Sequence, residues 1–166
     1  EKAYMRIYDR LGIGNDTYET FASGGVFSKY SHEFQTICEV GEDNIYYNKD
    51  KSVVLNEEVL IDEVMNDLGV QRDELEMTKA AEVGNIFTLG TKFSAPLGLE
   101  FTDQAGERKP VLMGCYGIGI SRVMGVIAEK MCDDKGLVWP ENIAPYKYYL
   151  IGIGDEGMKK AEELYR

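Results

Sequence analysis

Apolar positions recur at two spacings along this chain, and the change of spacing marks out its elements. Tyr4, Ile7, Tyr8 and Leu11 follow a helical period, and Gly12 supplies the stop signal. The pattern then shortens. Residues 17–22 and 31–39 (SHEFQTICE) have extended character, with the turn-rich Ser23–Tyr30 between them, and 43–48 (DNIYYN) suits a third strand. Asn56 is placed to cap a helix over 57–68. Glu57 and Glu58 would sit in its first turn, Leu60, Ile61, Val64 and Leu68 form its apolar stripe, and Gly69 ends it.

Residues 78–89 (TKAAEVGNIFTL) read as a strand with a bulge at Gly84, and Lys92–Leu97 as a short helical turn. Leu99–Thr102, a turn at Asp103–Glu107 and Pro110–Tyr116 make a hairpin pattern. Its second strand is apolar enough to be buried on both faces. Ile120, Val123, Met124, Ile127 and Met131 are the inner stripe of a helix from 120 to 131. Pro140 and Pro145 bracket WPENIAP, the best linker candidate. Beyond it, Tyr148–Ile153 predicts a strand, Gly154–Gly157 a turn, and Met158, Ala161 and Tyr165 one face of a last helix. That is the opening strand and helix of an α/β unit. No cap precedes Tyr4 and no terminator follows the last helix, which predicts a piece of a longer protein.

With 166 residues the chain has room for one core and the start of another. The net charge of −11 argues against a free-standing nucleic-acid binder, whose contact face would be basic, but not against a piece whose basic parts lie elsewhere. Cys38, Cys115 and Cys132 are far apart and form no CxxC, so neither a disulfide framework nor a zinc site is expected. A reduced, cytoplasmic setting fits them. His32 is the only histidine, which leaves a histidine-based triad or metal site one member at most. No apolar run approaches ~20 residues and the charged start has no signal-peptide pattern, so no membrane association is expected.

The densest chemistry lies in Gly114–Arg122 (GCYGIGISR). Gly114, Gly117 and Gly119 close a strand with bare backbone on which a flat ligand could lie. Arg122, in the first turn of the next helix, could set a planar guanidinium on a phosphate or over a base, and the helix N-terminus favours negative charge. The familiar phosphate loop GxxxxGK[ST] is missing, and GxGxxR has arginine where the dinucleotide fingerprint has its third glycine. A glycine-rich strand packed tightly on a helix accounts for the same spacing.

EVGNIFTLGTKFS (82–94), KPVLMGCYGIGISR (109–122) and GLVWPENIAP (136–145) resemble bacterial-type prolyl-tRNA synthetases. SHEFQ (31–35) followed by GED (41–43) is a second match in the expected order, and the resemblance covers nearly the whole chain. It implies an α+β fold: the antiparallel sheet of a class II synthetase catalytic core, flanked by helices, over residues 1–139. A linker at 140–146 and the first βα unit of an anticodon-binding domain at 147–166 would follow. GCYGIGISR is similar to motif 3, which gives Arg122 a catalytic, ATP-contacting role.

By the same resemblance, Glu82, Asn85, Gly117 and Gly119 approach ATP, with Glu82 a candidate Mg²⁺ contact. Many bacterial relatives carry histidine at the position of Asn85, so no acid–base role is carried over there. Gly114, Cys115 and Tyr116 match the floor of the proline pocket, and His32 and Glu33 lie on a strand beside it. Cys115 also suits a small buried hydrophobe, and His32 structural support.

The implied activity is that of a proline–tRNA ligase, which activates proline with ATP and Mg²⁺ and passes it to tRNA(Pro), with the parent a homodimer. Motifs 1 and 2 are not visible, which predicts negligible activity for this chain alone. Residues 49–79 stand where many bacterial relatives insert a large editing domain, and they are too few for a second core. The alternatives are a threonyl, glycyl, seryl or histidyl class II synthetase, or a non-catalytic synthetase-like binding module.

Overall fold

The first helix forms around its tyrosines. In the computed structural model, which describes residues 1–50 and 52–166, helix α1 spans Lys2–Arg10. The Tyr4 ring stacks on Phe34 at 4.7 Å between centroids, and Tyr8, fully buried, meets the same ring at 5.6 Å. Gly12, at φ +81°, turns the chain out of the helix.

Strands β1 (Thr17–Ser23) and β2 (Tyr30–Ile37) pair antiparallel from Thr17–Thr36 to Ser23–Tyr30. Next come β3 (Asp43–Tyr47), β4 (Val54–Asn56), α2 (Asp62–Leu68) and the long β5 (Glu76–Gly90). The hairpin β6 (Glu100–Thr102) and β7 (Arg108–Pro110) precedes β8 (Met113–Ile118) and α3 (Ile120–Lys130). A second hairpin, β9 (Cys132–Asp133) with β10 (Gly136–Leu137), and α4 (Gly154–Tyr165) complete the chain. The fold is α+β, as expected. Among the described residues no helix is long and apolar enough to cross a membrane.

The strand pairings close on themselves. β2 bonds both β1 and β5, β5 bonds β3, β3 bonds β4, and β4 returns to β1 through the parallel pair Phe21–Leu55, while the other pairings are antiparallel. β8 extends the sheet from the outer half of β5. Directly paired residues share a face, so register sorts the side chains. Tyr18, Gln35, Ile37, Ile45, Val54 and Ala80 face into the ring, where the apolar ones form one cluster. Phe34, Ala81 and Val83 lie in the outer core beneath α1 and α3, with Tyr8, Val123 and Ile127. Leu55, Val64 and Met65 make a third cluster under α2.

Three expected elements change. The helix over 57–68 is broken: Asn56 accepts a hydrogen bond from the Glu58 amide (3.3 Å) at a 3₁₀ turn, Glu57–Val59, and Ile61 is extended before α2 begins. The Arg72 guanidinium takes the Leu60 carbonyl at 2.9 Å, a group a continuous helix would have bonded internally. The hairpin partner of Leu99–Thr102 is β7, not Pro110–Tyr116. Proline offers no N–H to a ladder, and the chain leaves at Pro110 to join β5 as β8. β8 is not buried on both faces: Tyr116 is 70% exposed.

The third change lies beyond the last prolines. Tyr148–Ile153 forms no strand. An isolated extended segment cannot satisfy its backbone in a ladder, and these side chains are exposed, Tyr149 by 90%. The expected turn at 154–157 is instead the first turn of α4. In WPENIAP, Trp139 and Ile143 pack on the outer core, and the Asn142 amide donates to the Arg10 carbonyl at 3.2 Å.

Candidate nucleotide and substrate site

β5 and β8 place the glycines and Arg122 together. Asn85 pairs with Gly117 and Gly84 with Ile118, and the Gly119 amide donates to the Val83 carbonyl at 3.1 Å, which brings the start of α3 back over β5. The result is an open cleft of about 310 Å³ lined by Glu82, Gly84, Asn85, Gly117, Gly119 and Arg122. A Cβ on Gly117 would come 3.0 Å from Asn85 Oδ1, so glycine keeps this floor bare.

Arg122 is half-exposed and held by acceptors. Its Nη1 donates to the Glu82 carbonyl at 3.0 Å and lies 3.1 Å from Glu42 Oε1 and 3.6 Å from Glu82 Oε2. The other oxygen of Glu82 accepts from Asn85 Nδ2 at 2.8 Å. One carboxylate thus orients both the arginine and the asparagine. The guanidinium faces the cleft with partners that a ligand anion could replace.

Glu82 also lines an adjoining acidic cavity of about 470 Å³ at the mouth of the strand ring, with Glu33, Glu42, Asp43, Asn56 and Glu58. Inside it, Gln35 Nε2 donates to Glu33 Oε2 at 2.9 Å and to Asp43 Oδ2 at 2.6 Å, and Asn56 Nδ2 donates to Glu33 Oε2 at 3.2 Å. Burial holds the Glu33 carboxyl above the usual carboxylate range, against the opposing pull of the Gln35 amide. A wider depression of about 780 Å³, lined by Asn48, Lys49, Asp50 and Glu74, lies away from all of these groups.

A pH prediction follows for Glu33. Its folded pKa lies above the unfolded one, so the folded state binds this proton more tightly, and the ionised side chain costs stability above the folded pKa. That cost fades as pH falls. Glu33→Gln is expected to raise the Tm at about pH 8 and to leave it near wild type at about pH 4. Thermal melts at the two pH values check this, and an equal shift at both would refute it.

The structure gathers some of the sequence-derived candidates and separates others. Glu82, Asn85, Gly117, Gly119 and Arg122 share one cleft. Glu33 pairs with Asn85, and Cys115 pairs with Phe87 two residues on, so both face the cleft side of the sheet. His32 and Tyr116 both pair with Ile86 and therefore point to the opposite, helix-bearing face, as does Gly114 through Thr88. The sequence assigns no site role to Gln35, Glu42, Asp43 or Asn56, the last of which it places only as a helix cap. Gln35 had a legible signal, since it stands two residues from Glu33 on the same strand face. Glu42 had none, because its approach to Arg122 spans 80 residues of chain.

Residues 1–131 match the family described as "tRNA synthetase class II core domain (G, H, P, S and T)". A proline–tRNA ligase of Wolbachia pipientis wMel is 33% identical over 181 residues, which cover 99% of this chain and 42% of that protein. The proline–tRNA ligase of Rickettsia akari (strain Hartford) is 36% identical over 175 residues, covering 97% of this chain and 40% of its own. The chain thus spans about two fifths of the length of these relatives. In fold it is similar to the prolyl-tRNA synthetase of Cryptosporidium parvum complexed with L-proline and AMP. That likeness has a TM-score of 0.57 at 19% identity and covers 98% of this chain and 28% of that one.

Proposed function

Since the chain belongs to the class II tRNA synthetase core-domain family, we propose that it carries the motif 3 half of the active site of a proline–tRNA ligase. The observation that supports this best is the convergence of Arg122, Glu82 and Asn85 on a glycine-floored cleft beside an acidic cavity.

In this reading the proline carboxylate attacks the α-phosphate of ATP, pyrophosphate leaves, and the 3′ end of tRNA(Pro) then takes the prolyl group. Such a reaction needs positioning and charge more than a protein nucleophile. Arg122 binds the anionic end of the nucleotide, Glu82 keeps the guanidinium aimed into the cleft, and the bare edges at Gly117 and Gly119 admit a flat ring. Asn85 holds Glu82 by its amide and is not an acid or base. Glu33 and Cys115 line the proline side. His32, Gly114 and Tyr116, on the far face, support the strands that carry it.

The donors at the cleft edge are carboxylate and amide oxygens, a set that fits a hard cation such as Mg²⁺, with Glu82 the residue to hold it. When bound it would neutralise phosphate charge.

Residues 1–139 serve as catalytic core in this scheme, 140–146 as junction and 147–166 as the start of the anticodon-binding domain. The short stretch 49–79, whose described residues include β4 and α2, takes the place of an editing insertion. The parent is a homodimer in the cytoplasm.

Proline-dependent exchange of labelled pyrophosphate into ATP by the full ligase tests the reading. Exchange with threonine, glycine, serine or histidine in place of proline would overturn it. A second test concerns Glu42, which competes with the nucleotide for Arg122. Exposed pairs are worth up to about 1 kcal/mol, so Glu42→Gln is expected to lower KM for ATP about 2- to 5-fold with kcat unchanged. A raised KM would make Glu42 a ligand-binding group instead.

A further inference from the structure

On the helix-bearing face, away from the cleft, three side chains that the reaction does not use converge: Glu1, Glu19 and His32. One carboxylate oxygen from each glutamate and a ring nitrogen of the histidine lie within 4.8 Å of one another. Two details of the contact are not those of an ordinary ion pair. His32 Nδ1 is buried and 2.8 Å from Glu19 Oε1, yet the two are out of line for a hydrogen bond, and Nδ1 has no hydrogen-bond partner. Glu1 stands at the N-cap of α1, where a carboxylate would ordinarily accept from the first free amides, but its side chain makes no capping bond. Two carboxylates and a ring nitrogen this close need positive charge among them, which a bound cation supplies.

We propose that Glu1, Glu19 and His32 form a divalent metal site that fastens the start of α1 to the β1–β2 hairpin. Two carboxylates balance the charge of a divalent cation. A neutral imidazole among them favours a first-row transition ion such as Zn²⁺ over Mg²⁺, which prefers oxygen donors throughout. An ion on the Nδ1 lone-pair axis lets the Glu19 oxygen approach from off that axis, as a hydrogen bond does not. The Phe21 ring, 5.3 Å from the imidazole between centroids, packs against its side and limits its rotation. Because the site joins elements far apart in sequence, binding stabilises the fold rather than the chemistry.

The test is titration of the chelator-treated 166-residue chain with ZnCl₂ by calorimetry, with Co²⁺ as a spectroscopic probe. One equivalent should bind, and Zn²⁺ at about 100 times its Kd should raise the Tm by roughly 5–10 °C. Glu19→Gln and His32→Gln, which keep side-chain bulk, should each weaken binding at least about 10-fold and remove the visible Co²⁺ band, while circular dichroism stays that of the parent. Cys132→Ser and Glu141→Gln, at exposed groups outside the site, should leave binding unchanged. Absence of binding at about 1 mM Zn²⁺ overturns the proposal. So does binding that survives both site variants or is lost in either control.

Discussion

Replacing Arg122 by alanine in the full ligase is expected to reduce proline-dependent ATP–pyrophosphate exchange by roughly 10²–10³-fold, the usual cost of deleting one oriented charge donor at a phosphoryl centre. The fold should survive. Arg122 is 47% exposed, and its contacts with Glu42 and Glu82 are solvent-screened pairs worth at most about 1 kcal/mol. Activity and stability therefore separate at this residue. Arg122→Lys should restore little, because a single ammonium cannot offer a phosphate the parallel donors of the planar guanidinium fork. Steady-state exchange rates beside thermal melts decide it. A variant that loses activity only in proportion to its folded fraction would remove Arg122 from the mechanism.

Gly84→Ala should have the largest effect on stability. A Cβ there would come 2.4 Å from the Tyr8 hydroxyl oxygen, 2.8 Å from the Gly117 carbonyl oxygen and 3.1 Å from the Tyr4 ring. The tyrosines cannot swing away, because Tyr8 is fully buried and Tyr4 is stacked on Phe34. Overpacking of this kind costs about 2–3 kcal/mol, which for a chain of this size lowers the Tm by roughly 4–12 °C. The Tyr8 hydroxyl is itself buried without a hydrogen-bond partner. Tyr8→Phe is thus expected to stabilise the protein by about 1 kcal/mol. In the double variant Tyr8→Phe should recover part of the loss, because the nearest clash has gone while that with the Gly117 carbonyl remains. Melting the four proteins of this cycle checks the account, and strict additivity would mean that the hydroxyl is not the obstacle. The same backbone that needs glycine for α1 lines the cleft, so Gly84→Ala should also impair nucleotide binding.

Much of this organisation was legible in the chain alone. The stripe from Tyr4 to Leu11 and that from Ile120 to Met131 are α1 and α3, because a helix repeats its face every three to four residues. In α3, however, only Val123, Ile127 and Met131 of the stripe reach the core; Ile120 and Met124 are exposed and Val126 is buried in their stead. The bulge at Gly84 was readable as a glycine within a strand pattern, and the register does shift beside it, between Phe34 and Gln35. The short motif GCYGIGISR carried much of the glycine-floored cleft, since its glycines and arginine are local to one strand–helix junction.

The misses share a cause: each depended on a partner distant in sequence. The helix over 57–68 looked continuous because its stripe is helical, but the Arg72 guanidinium competes for the Leu60 carbonyl. Pro110–Tyr116 looked like one buried strand, but Pro110 ends its hairpin and β5 offers the next edge. Tyr148–Ile153 has strand composition and no edge to bond.

By itself, then, the sequence determined the helices with strong periodicity, the strand-rich centre, the family and the cluster of Glu82, Asn85, Gly117, Gly119 and Arg122, because those features rest on spacing within one or two neighbouring elements. Only the tertiary structure decided that the strands close into a ring, and that His32 and Tyr116 face away from Glu33 and Cys115. It alone set Glu42 on Arg122 and brought Glu1 to Glu19 and His32. Strand register and long-range contacts decide these points. A shift of one residue in register reverses every side chain, so composition along a strand cannot say which face its neighbours will occupy.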